Sequence, residues 1–409
     1  MSTRSPTIAT RSPIATVRAD PARLCALNAG IQIVWGGILA VSLQARSIAL
    51  GGSDAVRAYA FIAASGAFVA MLVQLVAGRL SDSERARTGS RQIFYATGIA
   101  LALPALAWFY LAPSYAQLVA AFLALQLAIN VAGGPYQAAI PDYVASDRRG
   151  GASSWMAAYQ SIGNAAGLLA AGFIHDLRLV ALALAAPLAA TYAVTAAHIR
   201  GLRPLPAEPS ATPPARGARQ PLVALMLSRG LINLGFFTLL GFLLFFVRDT
   251  LGVAQANVTT QTALLFLSFT LAAVAGAAVA ARPADRYDKR LVVTVAIAVV
   301  ALALGLLASA TTMPVAYAAA MLAGAAWGAF VTADWALAAA VLPAGSMATA
   351  MGVWNVATAF PQVAAPLLAG PLVGALDATH AGAGPRGAVV LALVEFVLGG
   401  IAVWRLPRV

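Results

Sequence analysis

The chain has 409 residues, of which 61% are hydrophobic and only 10% charged, with a mean hydropathy of +0.83 and a formal net charge of +12. A soluble domain is nearer a quarter charged, and no aqueous core of this length hides so much apolar surface. The composition therefore excludes a water-soluble protein and makes lipid the solvent. The basic residues are scattered and lack aromatic interleaving, which excludes a nucleic-acid partner.

Residues 1–21 are polar and Arg-containing, with TRSPTIA followed closely by TRSPIAT, and read as a disordered cytoplasmic tail. A signal peptide does not fit, because the next run is long enough to span and ends in no small-residue cleavage site. Twelve apolar runs follow, near 24–45, 56–80, 92–111, 115–139, 153–174, 178–198, 222–247, 258–281, 291–310, 314–341, 347–374 and 387–405. Each is close to the length a helix needs to cross the hydrocarbon, and the two longest must tilt. The longest connection, 199–220, is Pro-rich and basic and reads as an extended linker. It divides the chain into six-helix bundles at 22–198 and 221–409. With the amino terminus inside, the cytoplasmic segments hold twenty Arg or Lys and the outer segments five, with Arg229 inside a span. That bias places both termini in the cytoplasm.

The two halves echo one another. GRLSDSERAR at 78–87 matches ARPADRYDKR at 281–290, so Asp82 corresponds to Asp285. IPDYV at 140–144 follows the fourth span as AAAVL at 338–342 follows the tenth, and Asn28 and Gln32 align with Arg229 and Asn233. Such a repeat is the usual construction of secondary transporters, with the site between the halves. Cys25 is the single cysteine and reads as a packing residue; His175, His198 and His380 have no metal-ligand spacing. No phosphate loop and no nucleophile with a nearby base is present, so no cofactor and no enzymatic chemistry is expected.

GRLSDSERARTGSR at 78–91 resembles the loop between the second and third spans of the major facilitator superfamily. Segments 130–167, 228–252, 324–343 and 351–370 resemble later spans of its sugar-symporter branch, which includes glycoside–pentoside–hexuronide symporters and sucrose-permease-like proteins. Ser83, Ser90 and Ala340 depart from that pattern, Ala340 standing where an acid paired in pseudo-symmetry with Asp142 is expected. The resemblance implies an all-α membrane protein of two pseudo-symmetric bundles. It also implies a small-molecule substrate with a proton as coupling ion, and a monomer in a bacterial cytoplasmic (inner) membrane. An exporter of a hydrophobic metabolite or drug is the alternative on the same fold.

Asp334 and Arg229 lie about two turns from the cytoplasmic ends of spans ten and seven. A charge at that depth is costly and demands a partner, so they are expected to interact. Two roles are open: a protonation or gating pair, or a static pair that fixes helix packing. Asp82, Arg91, Asp142, Arg149 and Asp285 form the expected cytoplasmic gate, its carboxylates accepting donors while that side is closed. Asn28, Gln32, Asn130, Gln137, Asn233 and Trp335 are the expected substrate-binding residues. Gln126, Gln160, Asn164, Asn355 and Gln362 are further polar candidates, and Trp35, Tyr136, Trp327 and Trp354 further aromatic ones, with interhelical bonding and core packing as the competing readings. Glu395 lies near the middle of span twelve with no assigned role, either protonated or paired within its half.

Overall fold

In a computed structural model the described residues are 19–145, 148–205, 219–341 and 347–406. They contain twelve long helices: α1 (Pro21–Leu50), α2 (Ala55–Thr88), α3 (Gln92–Leu111), α4 (Tyr115–Tyr136), α5 (Arg149–Phe173) and α6 (Leu177–Arg200). The second set is α7 (Arg219–Phe245), α8 (Val258–Arg286), α9 (Lys289–Ser309), α10 (Met313–Val341), α11 (Met347–Asp377) and α12 (Ala383–Ala402). The fourth span ends three residues earlier than its apolar run suggests, because the chain breaks after Tyr136 and resumes as a single turn, Ala139–Tyr143.

Helix starts follow local chemistry. Asp20, Asp54, Ser114, Asp176 and Asp288 each cap the helix that follows, accepting one or two of its first backbone N–H groups. Asp20 caps α1 just before Pro21, and its own N–H donates to His198 Nε2 (2.9 Å), tying the head of α1 to the last turn of α6. At the end of α2, Gly89 adopts φ 75°, the left-handed cap that turns the chain toward α3.

The packing repeats with a period of six helices. In the first bundle α1 lies against α5 and α6, α2 against α4, and α3 against α4 and α6; in the second, α7 lies against α11 and α12, α8 against α10, and α9 against α10 and α12. The bundles meet through α2 with α11 and α5 with α8. Small residues allow the closest crossings: a Cβ at Gly167 would stand 1.9 Å from the Ile33 carbonyl oxygen, and one at Gly328 the same distance from that of Ala273. Lipid supplies no hydrophobic drive between helices, so close backbone approach of this kind holds them together. The symmetry extends to an irregularity. α1 carries a π-turn at Ile38–Ser42, and α7 ends in one at Phe246–Thr250, both near the outer ends.

Eleven of these helices are long and apolar enough to cross a membrane by composition alone, and α5 is the exception. Its polar residues Ser153, Gln160, Ser161 and Asn164, on one stripe with Ala157, account for the deficit. Ser153, Ala157, Gln160 and Ser161 are exposed, while Trp155, Ile162 and Phe173 occupy another exposed stripe. A polar face exposed at membrane depth requires water, and an apolar one suits lipid. α5 therefore carries one exposed face suited to water and another suited to lipid.

Candidate functional site

The described contacts between the bundles gather at the outer end. Gln44 is fully buried and reaches from α1 into α7, where its Nε2 donates to the Leu240 carbonyl (3.0 Å) and its Oε1 accepts from the Leu244 N–H (2.9 Å). One side chain thereby occupies a donor and an acceptor that a regular helix would join to each other. Thr260 of α8 donates to the Gly172 carbonyl of α5 (2.6 Å), and Tyr59 of α2 packs its ring against Phe242 and Phe245 of α7. Ala60 of α2 meets Gly370 of α11, where an added Cβ would stand 2.6 Å away. The polar stripe of α5 lies on the cytoplasmic side of this closure.

Replacing Gln44 by Leu keeps the volume and removes both cross-bundle hydrogen bonds. At about 1 kcal/mol each, their loss shifts the balance toward an outward-open form by roughly thirtyfold. A cysteine placed at Ala67 in a Cys25→Ser background should then react faster with an impermeant maleimide added outside. Unchanged labelling would show that Gln44 does not hold the seal.

Beneath the seal lies a pocket of about 50 Å³ lined by both bundles. α1 supplies Leu39 and Leu43, α2 Tyr59, α4 Phe122 and Gln126, α7 Phe237 and Leu240, and α11 Gln362 and Pro366. Gln126 belongs to a chain of amides. Asn130 Nδ2 donates to Gln126 Oε1 (3.1 Å), and Asn130 Oδ1 accepts from Nε2 of Gln74 on α2 (2.7 Å).

The ionic element sits in the second bundle. Arg229 of α7 and Asp334 of α10 form a direct ion pair through Nη1 and Oδ2, with side chains 13% and 5% exposed. Asn233, one turn along α7, donates to the Arg229 carbonyl (2.8 Å). Glu395 of α12 is also buried, beside Thr238 of α7, and its Oε2 has no hydrogen-bond partner among the described residues.

The cytoplasmic cluster is built around Asp142, which the break after α4 brings beneath the ends of α2 and α3. Asp142 Oδ2 accepts from Arg91 Nε (2.8 Å), and Oδ1 lies 3.3 Å from Arg85 Nε. Arg91 also donates to Ser81 Oγ (2.7 Å) and pairs with Asp82 (2.7 Å). Burial works against the Arg91 charge, but its hydrogen bonds to Asp142 and Asp82 outweigh that and hold its pKa above the ordinary value. Arg85 and the Asp142 backbone both bind Leu205, anchoring the start of the linker. In the second bundle Arg290 stands at the head of α9 as Arg91 does at α3. It donates to Asp288 (2.8 Å) and to the Leu406 carbonyl (3.0 Å), and covers the Trp404 ring at 5.2 Å.

The remaining expected residues are dispersed. Asn28 donates to the Met156 carbonyl (2.9 Å), joining α1 to α5. Gln32 is half-buried where α1 crosses Gly163. Gln137 is exposed at the C-cap of α4, away from the central pocket. Arg149 donates to the Val144 and Pro141 carbonyls of its own loop. Tyr136 donates to the Leu24 carbonyl (2.8 Å), and Trp327 stacks on Phe236 at 4.7 Å, so both rings pack within bundles. The side chains of Trp335, Asp285, Trp354 and Asn355 lie outside the described residues. Gln44, Gln74, Tyr59 and Phe237 escape sequence reasoning. An amide or ring in an apolar span carries no signal of which neighbour it faces.

A family model described as Major Facilitator Superfamily matches residues 25–366. No curated protein matches the chain by sequence. Among solved structures, a bacterial homologue of the human lysosomal transporter Spinster, inward-facing and occupied, superposes with a TM-score of 0.73 at 14% identity, covering 94% of this chain and 95% of that one. The nucleoside transporter NupG (a D323A mutant) gives 0.71 at 12% identity over 94% and 99%, and a D-xylose–proton symporter 0.67 at 15% over 95% and 98%.

Proposed function

The chain belongs to the Major Facilitator Superfamily, and from that premise we propose that it is a secondary active transporter coupling a small polar solute to protons by alternating access. The observation that carries this reading is the buried Arg229–Asp334 pair. An ion pair inside a span is costly to keep and has one inexpensive way to open, which is protonation of the carboxylate. Opening it frees a guanidinium on α7, the helix that also carries the outer seal and part of the central pocket.

The pocket, at about 50 Å³ too small to enclose a sugar while the bundles are closed over it, has a lining whose chemistry suits a solute of the sugar or glycoside kind once they part. Gln126 and Gln362 offer donors and acceptors to hydroxyl groups, while Tyr59 and Phe237 supply ring faces for an apolar side. Nucleoside and D-xylose transporters stand among the similar structures, and both names denote polar solutes. The apolar walls at Leu39, Leu43, Phe122 and Leu240 favour a second reading, a proton-driven exporter of a hydrophobic metabolite.

The deciding experiment is flux in proteoliposomes across a panel of sugars, glycosides and lipophilic dyes, with and without an imposed pH gradient. Accumulation of a polar solute down an inward proton gradient supports symport. Dye expulsion under the same gradient establishes the exporter instead, and flux indifferent to pH refutes both.

A further inference from the structure

Away from the central pocket, a groove of 1020 Å³ lies at the outer face between α2 and α11. It flanks the crossing of Ala60 and Gly370, so it is walled by both bundles. Its rim is charged. The first bundle contributes Asp54 and Arg57, and the second Arg248, Asp249 and Asp377. Each arginine is matched by an acid of its own bundle: Arg57 Nε lies 3.2 Å from Asp54, and Arg248 Nη2 donates to Asp249 at 2.8 Å. The Arg57 side chain is 87% exposed. Asp377 is held at the rim by accepting the Gly384 N–H (2.8 Å).

Below the rim the wall is apolar and laterally open. Phe61 on α2 is 58% exposed and Leu367 on α11 is 56% exposed. Ten residues separate Leu367 from Asp377, about 15 Å of helix. That is half the thickness of a bilayer's hydrocarbon core, or one leaflet. A charged rim above a one-leaflet apolar wall has the layout of a phospholipid, headgroup over chain. Two arginines among three carboxylates suit a headgroup with both signs of charge and repel a purely anionic one.

We propose that this groove binds one zwitterionic aminophospholipid of the outer leaflet. Its phosphate lies against Arg57 and Arg248, its ammonium against Asp54 and Asp377, and an acyl chain along Phe61 and Leu367. Because the walls come from both bundles, the bound lipid favours the outward-sealed arrangement.

The test is native mass spectrometry of the full-length protein in detergent with equimolar dioleoyl phosphatidylethanolamine, phosphatidylcholine and phosphatidylglycerol. The expected result is a single phosphatidylethanolamine adduct exceeding the phosphatidylglycerol adduct by about tenfold, the scale of one charge-assisted contact. Arg57→Gln with Arg248→Gln should lower it by a similar factor, and Asp54→Asn with Asp377→Asn should erase the preference over phosphatidylglycerol. Should the charge variants fail to fold, Leu367→Trp fills the apolar wall, leaves the rim intact and should still exclude the lipid. Equal retention of phosphatidylglycerol, or an adduct unchanged in every folded variant, overturns the proposal. So does displacement by free phosphoethanolamine at equal concentration, which would make this a site for small zwitterions.

Discussion

Under the proposed proton coupling, replacing Asp334 by Asn is expected to abolish accumulation driven by a pH gradient while leaving exchange of solute between equal pools. The asparagine keeps the shape of the side chain and cannot carry the charge that a proton would cancel. Arg229 then faces a neutral side chain at position 334 in every state, and the expected difference between a protonated and a deprotonated carboxyl there disappears. Removing one member of a buried pair costs about 3–5 kcal/mol, so the variant should also melt at a lower temperature. Pairing it with Arg229→Gln removes the buried cation that faces the amide and should recover part of that stability without restoring coupling. The two measurements separate the two roles open to the pair. If the single variant melts lower yet still concentrates solute against its gradient, the pair is structural and the proton is carried elsewhere.

The second large effect belongs to the cytoplasmic cluster. Asp142→Ala removes the carboxylate that both Arg91 and Arg85 approach, leaving a buried guanidinium short of an acceptor. A loss of about 3–5 kcal/mol is expected from a buried pair. Asp82→Ala removes a partner of the same arginine, but the Asp82 side chain is 71% exposed, and exposed pairs contribute about 1 kcal/mol or less. Thermal melting of the two purified variants should therefore differ severalfold in the size of the shift. Comparable shifts would mean that Asp142 is no more deeply engaged than Asp82. The two carboxylates look equivalent as loop residues. Their burial separates them, because only Asp142 follows a helix break that turns it beneath α2 and α3.

We propose that this cluster also moves in the transport cycle. Asp142 is engaged within its own bundle and, through Leu205, with the start of the linker. The second bundle closes its corresponding arginine on Asp288 and the end of α12 instead. With Ala340 where a second acid would stand, the two halves carry unequal ionic weight on the cytoplasmic side.

The sequence by itself determined the solvent, the number of spans, their orientation and the internal repeat. Each follows from a one-dimensional rule: apolar length matches bilayer thickness, arginines stay inside, and a duplicated half keeps its spacing. Depth could also be counted along a helix, which puts Arg229 and Asp334 at one level before any contact is seen. Facing could not be counted. Whether an amide in a span bonds its own helix, as Asn233 does, or reaches across the bundles, as Gln44 does, depends on helix rotation and tilt. Those are set by packing at small residues such as Gly167 and Gly328. The tertiary structure alone therefore decided that Gln126 and Gln362 share a pocket while Gln137 lies outside it, and that the fifth helix, too polar by composition, carries a polar and an apolar exposed stripe on different faces.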